Sequence, residues 1–264
     1  MLSIFFITLL LGAAVGFLAG LLGIGGGLVV VPVLVVLLPA FDVVTPADAI
    51  LIAVATSLAS IIVTAISSVR AHHKMDNVPW HIATPVVVGA AIGAWCVGYF
   101  AHLIGGEVLQ LIFGIAMLLL AFRMLGSRSV LGSKTLPGRP LTAAISVVLG
   151  GLASLLGIGG GALFVPVLNY YSVDMRRAIG CAAASGIAIA AFGTLGYVIA
   201  GWRHYQFEQG FIGYIYLPAL LGIVSTSVFT APFGARMTQR LPLLTVKRVF
   251  GVFLLLVSVK MIFS

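Results

Sequence analysis

The chain has 264 residues, of which 61% are hydrophobic and only 8% are charged, and its mean hydropathy is +1.24. Soluble globular domains carry about 25% charged residues. This composition therefore excludes a soluble globular domain and indicates a membrane protein. The formal net charge of +8 does not indicate a nucleic-acid partner, because the basic residues lie in short segments between apolar stretches and not in one stripe or tail.

Apolar segments recur along the whole chain, and most approach the roughly 20 residues that a helix needs to cross a bilayer. In chain order they are 4–22, 28–38, 47–69, 82–101, 108–122, 141–156, 162–169, 178–200, 211–235 and 243–262. The first has no basic segment before it and is longer than the apolar core of a signal peptide, so we expect a retained helix. The pattern predicts an all-α, polytopic membrane protein.

Local signals mark one helix start and one loop. Thr45, Pro46 and Asp48 form an N-cap, a first-turn proline and an acidic residue at the third helical position, which predicts that a helix begins there. His72 and His73 are followed by Lys74, and we expect all three in a solvated loop.

A glycine-rich motif occurs twice in the chain. Residues 16–34 and 150–168 are identical at 14 of 19 aligned positions, and each places a proline five residues after its last glycine. Such a repeat indicates a duplicated supersecondary unit. We therefore predict two membrane repeats, 1–126 and 140–264, joined by a cytoplasmic linker at 127–139.

The distribution of Lys and Arg predicts the orientation of these repeats. Twelve of the 14 basic residues fall in four segments between apolar stretches. They are Arg70, Lys74, Arg123, Arg128, Lys134, Arg139, Arg176, Arg177, Arg236, Arg240, Lys247 and Arg248. The positive-inside rule places all four segments in the cytoplasm, provided that each glycine motif enters and leaves the membrane on one side. Three spans then follow in each half, and this odd number predicts inverted repeats in the cell (inner) membrane with both termini outside.

Each glycine motif predicts a break in a helix followed by a second, short helix. Glycine costs about 1 kcal/mol relative to alanine inside a helix, so a run of glycines ends one. The next helix begins with free N–H groups and a partial positive charge, which together bind anions. The predicted anion-binding glycines are Gly23, Gly25, Gly26 and Gly27 in the first copy, and Gly157, Gly159, Gly160 and Gly161 in the second. Close helix packing or a simple hairpin turn is the alternative explanation of both motifs.

Few polar side chains interrupt the spans. The hydroxyl groups of Thr56, Ser57 and Ser185 are candidate donors to an oxyanion, although bonds to their own helix carbonyls would also account for them. Asn169 either lines the site or ends the second short helix. The acidic residues all lie near segment ends, and no catalytic motif is present, so we expect neither an enzyme, nor a cofactor, nor a metal site.

The two copies of Leu-Leu-Gly-Ile-Gly-Gly-Gly, each followed by Val-Pro-Val-Leu, resemble the motifs of the TauE/SafE family of sulfite-exporter-like permeases. The resemblance covers essentially the whole chain. It implies a transporter, by export or import, of a small sulfur-containing anion such as sulfite or an organosulfonate. The basic cytoplasmic segments would concentrate anions at the inner mouth, which favours export. We expect the lipid bilayer and no nucleic acid as partners, with a homodimer as a further candidate. A gated, channel-like pore and a membrane assembly factor without a substrate are the alternatives.

Overall fold

The computed structural model describes residues 2–22, 25–126, 134–237 and 243–263, and within these ranges the chain forms ten α-helices and one short β-hairpin. The helices of the first half are α1 (Leu2–Leu22), α2 (Gly27–Ala40), α3 (Pro46–Lys74), α4 (Trp80–Phe100) and α5 (Gly106–Leu125). Those of the second half are α6 (Arg139–Leu155), α7 (Gly161–Tyr170), α8 (Met175–Gly201), α9 (Leu217–Met237) and α10 (Leu243–Phe263). The hairpin strands are β1 (Phe211–Ile212) and β2 (Ile215–Tyr216).

Five helices in the described part of the chain are long and apolar enough to cross a membrane, namely α3, α4, α5, α8 and α9. The prediction of an all-α, polytopic membrane protein is therefore confirmed. By contrast, α2 and α7 have 14 and 10 residues, which at 1.5 Å per residue correspond to about 21 Å and 15 Å. Neither reaches across a hydrocarbon core of about 30 Å by itself.

Helices α3 and α8 form the centre of the fold. The apolar stretch of α3 is 78% buried and that of α8 is 61% buried, whereas the stretches of α4, α5 and α9 are 28–39% buried. The two central helices pack against each other, α2 packs on α3, and α7 packs on α8. The peripheral helices instead expose large apolar side chains, as a lipid-facing surface requires.

The first helix of each half packs along the fourth helix of the other half. On the α1–α9 side, a Cβ at Gly16 would overlap the Ser227 backbone, and on the α4–α6 side a Cβ at Gly93 would overlap the Val147 carbonyl. Small residues thus bring the backbones close, which is how membrane helices associate without a hydrophobic driving force. Each side also carries a hydroxyl bond to a carbonyl across the interface, from Thr226 to Leu9 at 2.7 Å and from Ser154 to Ala94 at 3.1 Å.

Both ends of α3 bear on the sequence predictions. Thr45 caps the first turn as predicted, because its hydroxyl oxygen accepts the N–H of Asp48 at 3.4 Å and its hydroxyl donates to the Asp48 carboxylate at 2.9 Å. The expected loop at His72 and His73 is wrong, since both residues lie in the last turn of α3. Basic side chains in a last helical turn interact favourably with the helix dipole, and this sequence continues the helix to Lys74.

The predicted helical segment 211–235 is also wrong at its start. Residues 211–216 form the β-hairpin, with Phe211 opposite Tyr216, and α9 begins only at Leu217. Glycines at both bends explain the difference, because Gly210 and Gly213 have φ of +84° and +57°, which a helix does not contain. The hairpin reaches the centre of the protein, where the Tyr216 N–H donates to the Thr56 hydroxyl at 3.1 Å.

Candidate functional site

The two glycine motifs touch each other. A Cβ added to Gly25 would lie 3.3 Å from the Cα of Gly159, and a Cβ on Gly27 would overlap the carbonyl of Gly157. Side chains at these positions would therefore force the two breaks apart. The contact lies beside Ser57 and Ile61, close to the middle of α3, so both motifs meet deep inside the helix bundle.

The backbone at each break takes the form that the sequence predicts. Gly26 is the N-cap of α2 in the left-handed conformation, with φ of +76° and no side-chain cap, and its carbonyl accepts the N–H groups of Val29 and Val30. In the second motif Gly157 has φ of +61°, and the carbonyl of Gly160 accepts the Phe164 N–H as α7 begins. The first amides of a helix have no partner within it, and the N-termini of both short helices lie at the region of contact.

Ser57 links the first half of the chain to the second motif. Its side chain is fully buried, and its hydroxyl donates to the Gly157 carbonyl at 2.8 Å. The neighbouring Thr56, also fully buried, accepts the Tyr216 N–H. Both hydroxyl groups therefore join elements that are far apart in the sequence.

The second motif has a different environment because glycine replaces the corresponding hydroxyl residue. Ser185 donates to the Ala182 carbonyl in its own helix at 2.9 Å, and it lies against Gly160, where an added Cβ would overlap its hydroxyl. The next residue, Gly186, has no Cβ. Among the described residues, an atom built there would meet the Gly160 nitrogen at 3.5 Å and no other atom within 4 Å beyond its chain neighbours and its own helix backbone. The described residues therefore leave room for a methyl-sized group beside this amide.

The electrostatic field at the junction does not come from ionised side chains. The fully buried polar residues of the described chain are all serine or threonine. Within the same part of the chain, no group of three or more His, Cys, Asp and Glu side chains is arranged to hold a metal ion. The positive ends of α2 and α7 are what this site offers a ligand, and they suit an anion. The hydroxyl groups of Ser57 and Ser185 already donate to protein carbonyls.

Comparison with known families agrees with this architecture. The sequence model of the family described as "Sulfite exporter TauE/SafE" matches residues 8–261, which is nearly the full chain. The chain belongs to the TauE/SafE family. The family expected from the doubled motif is thereby confirmed.

The relatives of this TauE/SafE chain carry transporter names. It is 39% identical to a "Probable membrane transporter protein" of Haemophilus influenzae over 99% of both chains. It is 26% identical to probable membrane transporter proteins of Methanocaldococcus jannaschii, over 95% of both chains, and of Bacillus subtilis, over 98% of both chains. No solved structure matches it. This chain is a multi-pass membrane protein of a transporter family.

Most of the predicted site residues lie together in this TauE/SafE protein. Those at or beside the contact are Gly25, Gly26, Gly27, Thr56, Ser57, Gly157, Gly159, Gly160, Gly161 and Ser185. Gly23 lies outside the described residues. Asn169 lies near the other end of α7, about 12 Å along the helix axis from Gly161. There its amide nitrogen is 3.4 Å from the Met175 sulfur, and its amide oxygen is buried without a partner.

Two residues of the junction are not among the predicted site residues. Gly186 occupies the position that corresponds to Ser57 in the first repeat, so the repeat alignment carries a signal for it. Tyr216 enters through its backbone N–H alone, and no side-chain pattern marks such a contact.

Proposed function

We propose that the protein is a secondary transporter that exports a small sulfur-containing anion, such as sulfite or an organosulfonate, and binds it at the N-termini of α2 and α7. The observation that carries the proposal is the contact between the two uncapped glycine breaks deep in the bundle. The relatives' names support transport, and the family name supports a sulfur oxyanion as the substrate class. Helix-terminal amides suit a sulfonate, since they donate to its oxygens without a buried basic residue.

The two halves act, on this proposal, as inverted-topology repeats. The reciprocal packing of α1 on α9 and of α6 on α4 supports it, because each half lends its first helix to the other. The contacts also correspond in detail. Gly16 meets Ser227 on one side, while Gly150 meets Ala90 on the other. Gly150 follows Gly16 by 134 residues, and Ser227 follows Ala90 by 137 residues. The two contacts therefore join equivalent positions of the two repeats. With the basic segments in the cytoplasm, both termini lie outside.

Alternating access follows from movement at the glycine contact. In this structure Gly157, Gly159 and Gly160 are buried, and the Ser57 bond ties α3 to the second break. We take this as the occluded arrangement. Separation of one half-helix from the other would open the amides to one side of the membrane at a time, as in other transporters built on broken helices.

Substitution of Gly186 tests the site more sharply than substitution of the motif glycines. A side chain at Gly160 would overlap Ser185 and the Ala182 carbonyl, so its loss of function would report packing as readily as binding. In Gly186→Ala, by contrast, the methyl group makes an ordinary contact at 3.5 Å and covers the Gly160 amide. Alanine is also about 1 kcal/mol more favourable than glycine inside a helix, so the variant should be at least as stable as the parent.

The expected result is a loss of transport without a loss of stability. One charge-assisted hydrogen bond contributes about 1.5–3 kcal/mol, so anion affinity should fall by about tenfold to a hundredfold. Purified protein in liposomes would be assayed for saturable uptake of sulfite and methanesulfonate, and its thermal midpoint would be compared with and without each anion. Gly105→Ala, at a position with no atom within 4 Å of the new methyl group, is the control. Full transport by Gly186→Ala would refute binding at this amide.

A further inference from the structure

A cavity lined by both apolar and polar side chains lies at the ends of α4 and α8, away from the glycine junction. This α4–α8 cleft has a volume of about 540 Å³ and is lined by Tyr99, His102, Val198, Ile199, Ala200, Trp202, Arg203 and His204. It begins where α8 ends at Gly201, which is 15 residues, or about 22 Å along the helix, beyond Gly186. The cleft is therefore a separate site, on the outer side of the membrane in the proposed orientation.

The polar groups of the cleft are cationic or able to become so. Arg203 is exposed and carries a permanent charge. The rings of His102 and His204 lie 6.3 Å apart between their centroids. The Nδ1 atom of His102 is 2.8 Å from the Tyr99 carbonyl, and a carbonyl only accepts, so this nitrogen holds the proton and Nε2 remains for a further partner. No carboxylate is among the lining residues, and Arg203 supplies a positive charge.

The phenol groups around the histidines stay neutral. His102 packs edge-on against Tyr99, and His204 packs against Tyr214 at 5.8 Å between centroids. An acid beside these tyrosines is Asp48, which is hydrogen-bonded to Tyr205 and to the Thr45 hydroxyl. Burial and this carboxylate raise the pKa of Tyr205 and of Tyr214, so both phenols remain protonated. The carboxylate of Asp48 thus has the Tyr205 and Thr45 hydroxyl groups as partners.

We propose that the α4–α8 cleft binds an oxyanion group through Arg203 and the two imidazoles, more tightly at acidic pH. An imidazole ring donates from both of its nitrogens only when it is protonated, so acidification favours an anion between the two rings. Two imidazolium rings this close repel each other, and an anion between them offsets that repulsion.

Two sources supply the same chemistry, a dissolved sulfonate and the phosphate of a lipid headgroup. Trp202 and Phe100 lie at this end of the bundle and are 68% and 53% exposed, as is typical of aromatic residues at a membrane interface. The cleft is therefore within reach of lipid headgroups as well as of water. The experiment below separates the two.

Binding would be measured on purified protein in nanodiscs of neutral phosphatidylcholine, with methanesulfonate as the probe and Trp fluorescence as the readout. Methanesulfonate stays ionised throughout, so any pH dependence belongs to the protein. We expect affinity about tenfold higher near pH 5.5 than near pH 8, which corresponds to about 1.4 kcal/mol. The Arg203→Gln substitution should weaken methanesulfonate binding at both pH values. Combined His102→Asn and His204→Asn should abolish the pH dependence. Arg177→Gln, an exposed arginine at the opposite end of α8, is the matched control.

Two further arms make the result decisive. Methanesulfonate should still bind the cleft of the Gly186→Ala variant, because the cleft does not use the glycine junction. This arm distinguishes a failure of the cleft proposal from a failure of the proposed transport site. In nanodiscs of anionic phosphatidylglycerol, Arg203-dependent stabilisation that methanesulfonate cannot displace would identify the lipid as the occupant. The proposal would be overturned if neither methanesulfonate nor phosphatidylglycerol bound in a way that depends on Arg203. It would also be overturned if the pH dependence of binding survived the loss of both histidines.

Discussion

Removal of the Ser57 hydroxyl tests how the two halves of the protein are held together. Ser57→Ala deletes the donor of the 2.8 Å bond to the Gly157 carbonyl and removes no other atom. The carbonyl lies in the break after α6, where regular helical bonding has ended. A buried acceptor left without its donor costs about 1–3 kcal/mol, and we expect that loss in the free energy of unfolding.

A serine one turn along α3 provides the control. Ser60 is almost as buried, but its hydroxyl donates to the Ser57 carbonyl in its own helix at 2.7 Å. That carbonyl is already within the helical bonding pattern, so Ser60→Ala should cost less than about 0.5 kcal/mol.

The assay is thermal unfolding of both variants in the same detergent. A change of 1 kcal/mol shifts the midpoint by about 2–4 °C at this size, so Ser57→Ala should unfold at least about 2 °C lower than the parent. Equal midpoints for the two variants would refute the idea that the bond across the halves contributes to stability beyond an ordinary helix hydroxyl.

Four further predictions concern other contacts. Thr56→Val removes the acceptor of the Tyr216 N–H and should lower the unfolding free energy by about 1–3 kcal/mol, measured against a Thr84→Val control whose hydroxyl is exposed. Thr45→Ala removes the cap of α3 and should cost about 1 kcal/mol in the same assay; no change would contradict the capping role. Gly93→Leu should separate α4 from α6 and reduce the yield of folded protein, whereas an unchanged yield would refute close packing there. Alkaline phosphatase fused to the C-terminus should be active, and fluorescence of a green fluorescent protein fused there instead would refute the proposed orientation.

The helices could be predicted well because their signals are local. The short helix after each glycine run was expected from residues 28 and 162, and the structure begins these helices at Gly27 and Gly161. The cap at Thr45 likewise depends on residues within one turn. The two errors, at the end of α3 and at the start of α9, both arose because hydrophobicity alone does not tell where a helix ends or a hairpin begins.

The sequence identifies the residue types of the candidate site but not their contacts. The glycines and hydroxyls stand out in the sequence because few polar or flexible positions interrupt the apolar spans. Their partners do not, since Ser57 bonds a carbonyl 100 residues away and Thr56 an amide 160 residues away. Asn169 directly follows the second motif in the sequence, which makes it a candidate site residue. The 10-residue helix α7 nevertheless places it at the end away from the glycine contact.

The sequence by itself determines that this chain is helical, lies in a membrane and contains a duplicated glycine motif, because composition and periodicity express local free energies. Only the tertiary structure decides that the two motifs touch, that Gly186 leaves the Gly160 amide uncovered, and that Arg203 shares a cleft with two histidines. These contacts depend on how whole helices pack, and packing is set by many small residues acting together. A pattern within one segment therefore cannot specify them.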